Sequence, residues 1–422
     1  MMNPRKLALE TIEKIITKQA YSNIVVNNYL NRFELTTEDK TLFSKLVYGT
    51  LERLITLDFY LEPYVGHKSQ KPWVKILLEM SAYQLLFMRI PDYAVVNEAV
   101  DIANLKDRHI GSFVNAVLRN LQRNSLRTME DLDDEDRLAI KYSFPLWLVT
   151  YLLKDYSLET VEKILETYFV DKNEGLRVNT LKIAKADLLA KLTESKVDFQ
   201  ISPIGENALI YKGDIQKHDF FTLGYLTIQD LSSQRVAEIM NPRRGDLILD
   251  VCSAPGGKSA HLAALMGNSG QIFACDIYPH KIKLMENTFK RLGVSNVKTQ
   301  QIDALMLNEV VKEETFDQVL ADVPCSGLGV LSHKVDIKYH LTLDSIHEIK
   351  SLQAKILEKT WKLVKKGGYF TYSTCTINKE ENEEQIRTFI NNHPEMVIVL
   401  EETILPHEYH SDGFYICKMR RG

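Results

Sequence analysis

Apolar residues over the first 130 positions recur at helical spacing. Leu42, Leu46, Val47, Leu51 and Leu54 form one set, Ile76, Leu77, Met80, Tyr83 and Phe87 a second, and Phe113, Val114, Val117, Leu118 and Leu121 a third. Steps of three and four put each set on one side of a helix, and several such faces predict a compact helical bundle. Only Gly49, Gly66 and Gly111 of the chain's 19 glycines fall here, so little interrupts the helices. The acidic run DLDDED at 131–136 then predicts a solvent-exposed connection. Residues 131–235 read as a linker and a small α/β subdomain, with helices near 146–168 and 185–195 and strands near 175–181 and 207–212.

After residue 235 the rhythm changes. Short apolar strands alternate with helices: DLILDVC (246–252), QIFACD (271–276), KTQQID (298–303), FDQVLADVP (316–324) and GGYFTYSTC (367–375), with helices expected over 258–266, 279–292, 344–365 and 380–392. This alternation predicts a largely parallel sheet covered on both faces across 236–422, with strands near 396–400 and 413–419 completing it.

Length adds that 422 residues exceed one typical domain. With 45% hydrophobic and 26% charged residues the composition is that of a folded, soluble chain. The opening MMNPRKLALETIEK lacks a signal peptide's apolar core, and no apolar run reaches the ~18 residues of a membrane span, so a cytoplasmic protein is expected. The five cysteines include no CxxC pair, which predicts neither zinc nor disulfides and fits a reducing compartment. The net charge of −4 gives no sign of a polyanionic partner.

Chemistry is concentrated at the predicted strand ends. Asp250-Val251-Cys252-Ser253-Ala254-Pro255-Gly256-Gly257-Lys258 joins a strand to a helix, where adjacent glycines let a ligand approach the positive helix end. It is neither a Walker A loop, since Cys252 stands where that motif needs glycine, nor the dinucleotide GxGxxG. Asp276, twenty residues past Gly256, ends the next strand where a carboxylate commonly accepts ribose hydroxyls, and Asp303 closes the third. Together they outline a nucleoside-shaped pocket.

Cys325 and Cys375 also end strands on this edge, whereas Cys252, Cys275 and Cys417 read as small apolar residues. Asn378 followed by Glu381 reads as a helix N-cap with an acid three positions on. That would set Cys375 ahead of a dipole favouring thiolate, with Glu380, Glu381, Glu383 and Glu384 as a solvated first turn. Methylation at C5 of a pyrimidine is one reaction needing two thiols beside a nucleoside cofactor. A thiolate adding at C6 makes C5 nucleophilic; the adduct must later lose its C5 proton and expel the thiolate. Asp322 is suited to hydrogen-bond the base edge near N3.

RVNTLK (177–182), QDLSSQ (229–234), DVCSAPGGK (250–258), ADVPCSGLG (321–329), YSTCTINKEEN (372–382) and DGFYICK (412–418) closely resemble motifs of the Sun/Fmu family of RNA cytosine-5 methyltransferases. LVYGTLER (46–53), YQLLFMRIPDYAVVNEAV (83–100) and FVNAVLRNL (113–121) resemble a NusB-like RNA-binding domain. The resemblance implies a multidomain α and α/β protein: an all-helical NusB-like bundle over 1–130, a small RNA-binding α/β subdomain within 131–235, and a Rossmann-like class I methyltransferase domain over 236–422. It implies Cys375 as nucleophile toward C6 and Cys325 as the thiol assisting proton removal and product release. S-adenosyl-L-methionine would lie against Cys252, Ser253, Ala254, Pro255, Gly256, Gly257 and Lys258, with Asp276 on the ribose, Asp303 near the adenine, and Asp322 between cofactor and base. Lys258 would support that arrangement. The implied substrate is a cytosine of 16S ribosomal RNA in the P-site hairpin loop. Nothing in the sequence demands more than a monomer, and no metal is expected. After GLGV the chain reads LSHKVDIKY where the family often has paired arginines and a proline, so RNA contacts are not carried to Ser332 or His333, and His333 is expected at the surface.

Neither part of the chain is basic: residues 1–140 carry 18 basic and 19 acidic side chains. Arg119, Arg123 and Arg127, at steps of four, would nonetheless line one helix face suited to phosphates, with Arg177 and Arg243-Arg244 as further RNA candidates. Two other readings are a dinucleotide-dependent dehydrogenase, which the missing GxGxxG disfavours, and a non-catalytic RNA-binding or ribosome-assembly factor, which two retained thiols disfavour.

Overall fold

The computed structural model describes residues 3–18, 20–66, 70–170, 174–333 and 335–422, with the side chain of His333 outside that description. It divides into two compact units, Met1–Tyr168 with Leu331–Leu341, and Phe169–Val330 with Thr342–Gly422.

The first unit begins with helices Pro4–Lys18, Ser22–Arg32, Thr37–Glu52, Leu54–Val65, Pro72–Phe87, Asp92–Lys106 and Arg108–Arg123. The periodic residues Leu46, Val47, Leu51, Ile76, Leu77, Met80, Val114, Val117, Leu118 and Leu121 all lie in its core. Gly49 allows close helix packing, since a Cβ there would sit 2.1 Å from the Tyr83 ring. The acidic run is a helix start rather than a connection. Asp133 caps Asp134–Lys141 by accepting from the Asp136 backbone N–H, and the acids of the first turn complement the helix dipole. Helices Leu146–Leu153 and Leu158–Glu166 follow, burying Leu148, Val149, Leu152, Val161, Ile164 and Leu165. The compact unit therefore runs to Tyr168 and includes these helices.

Leu331–Leu341 completes this unit although it follows the PCSGLGV loop in sequence. Asp336 accepts from the Ser22 hydroxyl and backbone N–H, and the Tyr339 hydroxyl donates to the Leu51 carbonyl at 2.8 Å. The Lys338 ammonium is wholly buried; it donates to the Glu52 carbonyl at 2.8 Å and lies 4.6 and 4.4 Å from the Phe144 and Tyr168 ring centroids.

The second unit opens with a small antiparallel sheet of β1 (Glu174–Val178), β2 (Phe199–Ile201), β3 (Ala208–Tyr211) and β4 (Leu226–Ile228), ordered β2-β3-β1-β4. Leu188 and Leu192 of helix Lys185–Glu194 pack on it against Leu176, Val178 and Leu209. Next come β5 (Leu247–Asp250), β6 (Gln271–Asp276), β7 (Val297–Gln301), β8 (Phe316–Asp322), β9 (Val364–Thr374), β10 (Met396–Ile404) and β11 (Phe414–Arg421). They form one sheet ordered β10-β11-β9-β8-β5-β6-β7. Its five strands from β9 to β7 are parallel, β11 pairs antiparallel with β9, and β10 pairs antiparallel with β11. Alternate residues feed two cores: Leu249, Val319 and Phe370 pack with Ile356, Leu357 and Trp361, while Ile248, Leu320 and Ile416 pack with Leu262 and Met266. Strand order reverses between β5 and β8, and a crevice at such a switch point is where open α/β sheets bind ligands.

Among the described residues no helix is long and apolar enough to cross a membrane, and no group of three or more His, Cys, Asp or Glu gathers as a metal site.

Candidate active site at the carboxyl edge of the sheet

β5 delivers Asp250 to the edge, and the loop after it reaches helix Gly257–Leu265. Gly256 has φ +95°, and a Cβ there would press on Met285 and Phe289 at 3.1 Å, so this turn is restricted to glycine on two grounds. The loop is pinned by Ser253 N–H donating to the Cys275 carbonyl and Gly256 N–H to the Ser253 carbonyl, each at 2.7 Å.

Asp250 is fully buried: Oδ2 accepts from the Ser259 hydroxyl at 2.7 Å, while Oδ1 has no hydrogen-bond partner. Burial raises its pKa to about 6; the Ser259 bond opposes that rise and the charge of Asp322 adds to it. The protonated form is thus favoured by folding. Its stabilising contribution is full below the unfolded value of 3.8 and is lost as pH rises through about 6. In urea unfolding, Asp250→Asn should gain on the wild type by up to about 3 kcal/mol between about pH 4 and pH 7. A stability difference independent of pH would contradict this account.

Asp276 ends β6, 7% exposed, accepting from the Tyr278 backbone N–H at 3.1 Å with Lys281 at 3.5 Å. Asp303, past β7, caps a short turn by accepting from the Leu305 backbone N–H at 2.9 Å. β8 ends in Asp322, which accepts from the Lys258 ammonium at 2.7 Å on one oxygen and from the Ser373 hydroxyl at 2.8 Å on the other. Burial acts to lower the Lys258 pKa, but Asp322, then Cys375 and Asp250, outweigh it and the ammonium is stabilised.

Cys325 and Cys375, fifty residues apart, meet with their sulfurs 3.2 Å apart. Hydrogen bonding to Cys375 and burial, with the charges of Cys375 and Glu381, push the Cys325 thiol well above the usual cysteine range. Either sulfur can donate in this contact, and the charge of Lys258 is coupled to that of Cys375. Cys275 and Cys417 are buried in the cores, each pushed up to about 12 chiefly by burial, as apolar residues should be. Cys252 is half-buried, and burial raises it as well.

Four expectations change. Helix Glu383–Asn392 starts later than predicted, so no dipole sits directly behind Cys375; Lys258 supplies the local positive charge instead. Glu381 is 0% exposed, not solvated. Arg177 is likewise enclosed, its Nε donating to Gln229 at 2.7 Å and its pKa lowered to about 9, first by burial and then by Arg291. It holds β1 to the chain around Gln229 and presents no surface for phosphate. Helix Arg108–Arg123 carries Arg119 and exposed Arg123 but ends before Arg127, which pairs with Glu62 and lies 4.2 Å from the Phe59 ring centroid. The three-arginine face is thus reduced to two.

Sequence reasoning missed Ser373, Gln353 and the buried role of Glu381. Ser373 and Glu381 lay inside a matched motif. Gln353, on helix Leu343–Thr360, carried no signal at all.

Residues 237–420 match the family model described as 16S rRNA methyltransferase RsmB/F, residues 2–123 the NusB family, and 144–216 the ferredoxin-like domain of RsmF/B-like methyltransferases. The chain is 38% identical over 439 residues to the probable ribosomal RNA small subunit methyltransferase B of Bacillus subtilis (strain 168), covering 99% of this chain and 98% of the relative. The corresponding Synechocystis protein, of the same description, is 32% identical over 446 residues, covering 100% of both. A solved methyltransferase homolog from Pyrococcus horikoshii is 27% identical with a TM-score of 0.61, covering 70% of this chain and 100% of that one.

Proposed function

Because the chain belongs to the RsmB/F family of 16S ribosomal RNA methyltransferases, with a NusB-family domain ahead of the catalytic one, we propose that it methylates C5 of one cytosine in 16S ribosomal RNA through a covalent Cys375–C6 adduct. The observation that carries this reading is the 3.2 Å approach of the Cys325 and Cys375 sulfurs beside the Lys258–Asp322 ion pair.

The family is S-adenosylmethionine-dependent, and the strand-end residues fit that group. Asp276 and Asp303 are acceptors at neighbouring strand ends, suited to ribose and adenine donors, and the buried Oδ1 of Asp250 is an acceptor without a donor. A Cβ on Gly257 would meet nothing nearer than Gln229 at 3.8 Å, so the start of the helix is open to a ligand. Residues 252–258 would hold the methionine end. When bound, the group supplies an electrophilic methyl.

The protein's own residues account for the remaining chemistry. Cys375 adds as thiolate to C6, while Asp322, oriented by Lys258 and Ser373, hydrogen-bonds the base edge near N3. Consumption of the Cys375 thiolate in a thioether removes its charge and its hydrogen bond, two of the causes that keep Cys325 protonated. Cys325 then becomes easier to ionise at the stage when a base is needed for the C5 proton, whose loss expels Cys375. Arg119 and Arg123 are the candidates for RNA phosphates. The target is a cytosine of the P-site hairpin loop, splayed from its stack, and the enzyme acts as a monomer in the cytoplasm.

The test is incubation with unmodified small-subunit RNA and methyl-labelled S-adenosylmethionine, followed by nucleoside digestion. Label in 5-methylcytidine is expected. Label in another nucleoside, or RNA binding with no label, would favour a different base chemistry or an assembly factor.

A further inference from the structure

Glu381 lies beneath both cysteine loops. Its Oε2 accepts from the Ser326 backbone N–H and from Gln353 Nε2, each at 2.9 Å; its Oε1 accepts from Asn378 Nδ2 at 2.9 Å and from the Thr376 hydroxyl at 3.5 Å. Gln353 Nε2 also donates to the Pro324 carbonyl at 2.9 Å. The residues on either side of Cys325 are therefore gripped by one Gln353–Glu381 pair. Thr376, next to Cys375, is tied to the same carboxylate and to the Ser326 hydroxyl at 2.8 Å.

A carboxylate with no exposed surface is expensive to bury, and it is tolerated where donors fill its acceptor sites. The four donors here are neutral and come from three separate segments: the PC loop, the turn after Cys375 and helix Leu343–Thr360. An amide offers one oxygen and would turn two donor hydrogens toward one side of this set. Only an acid can accept from both sides. Its charge also helps keep the nearby Cys325 protonated.

The geometry points to Glu381 as a positioning residue that sets Cys325 against Cys375, so that adduct release depends on it more than RNA binding does. This rests on the two-cysteine reaction proposed above.

The test uses the full chain, 16S RNA and labelled S-adenosylmethionine, and compares wild type with Glu381→Gln and Glu381→Asp. For Glu381→Gln the expected result is a kcat lowered by about 100-fold, as for a misplaced catalytic group, with KM for RNA within about threefold. A covalent protein–RNA adduct through Cys375 should accumulate, which loss of fold alone would not produce. Glu381→Asp, keeping the acid, should recover part of the kcat. Should Glu381→Gln fail to fold, Gln353→Met removes the other half of the grip and is expected to trap the same adduct. Wild-type rates and no adduct in whichever variant folds would overturn the proposal while leaving the reaction intact. A wild-type protein that makes no 5-methylcytidine would instead overturn the reaction itself.

Discussion

Cys375→Ala should abolish 5-methylcytidine formation, by at least about 10³-fold, whereas Cys325→Ala should convert the protein into a trap that stays covalently joined to RNA. The two thiols are 3.2 Å apart, yet they are not interchangeable. The bond to Cys375, burial and nearby charge push the Cys325 thiol up, while the Lys258 ammonium is coupled by charge to Cys375. On the proposed reaction, loss of Cys375 would remove the route for activating C5. Loss of Cys325 would leave addition and methyl transfer possible but slow the proton removal that frees Cys375. Denaturing gels of each variant with labelled RNA would show the difference, a shifted band for Cys325→Ala and none for Cys375→Ala. The reverse pattern would exchange the two roles.

Gly329→Ala should be nearly as damaging without touching a reacting atom. A Cβ there would stand 2.0 Å from the Gly413 carbonyl oxygen and 2.9 Å from that of Cys375. Both obstacles are backbone, so no side-chain rotation relieves them. The same residue joins the loops by donating its N–H to Cys375 at 3.1 Å and accepting from Gly413 N–H at 2.9 Å. Accommodating a methyl group means moving the PC loop away from Cys375. A shift of about 1 Å at reacting groups costs on the order of 100-fold in rate, and overpacking about 1–3 kcal/mol in stability. Single-turnover methylation and a thermal melt on the same sample would measure both. An alanine variant with wild-type rate and melting point would show the loops to be softer than these contacts imply.

The parallel strands were readable because strands buried on both faces need near-continuous apolar runs, and the helices between them because amphipathic spacing repeats. The acidic run at 131–136 was misread for a local reason: such a run reads alike whether it is a solvated connection or the capped first turn of a helix. The same ambiguity hid Glu381, whose neighbours in sequence are more exposed acids. Arg177 was misjudged because a charge in a motif looks like a ligand contact until its burial is known.

By itself, then, the sequence determined the two kinds of architecture, the strand-end acids and the two thiols of the candidate site. Each of these follows from local periodicity or from residues close together in the chain. Tertiary structure alone decided that Cys325 and Cys375 share a hydrogen bond, that Lys258 and Ser373 converge on Asp322, and that Gln353 and Glu381 grip the PC loop. It also assigned Leu331–Leu341 to the helical unit. The physical reason is the same throughout. Burial, charge coupling and donor–acceptor matching are properties of groups brought together from distant positions, and no spacing along the chain encodes them.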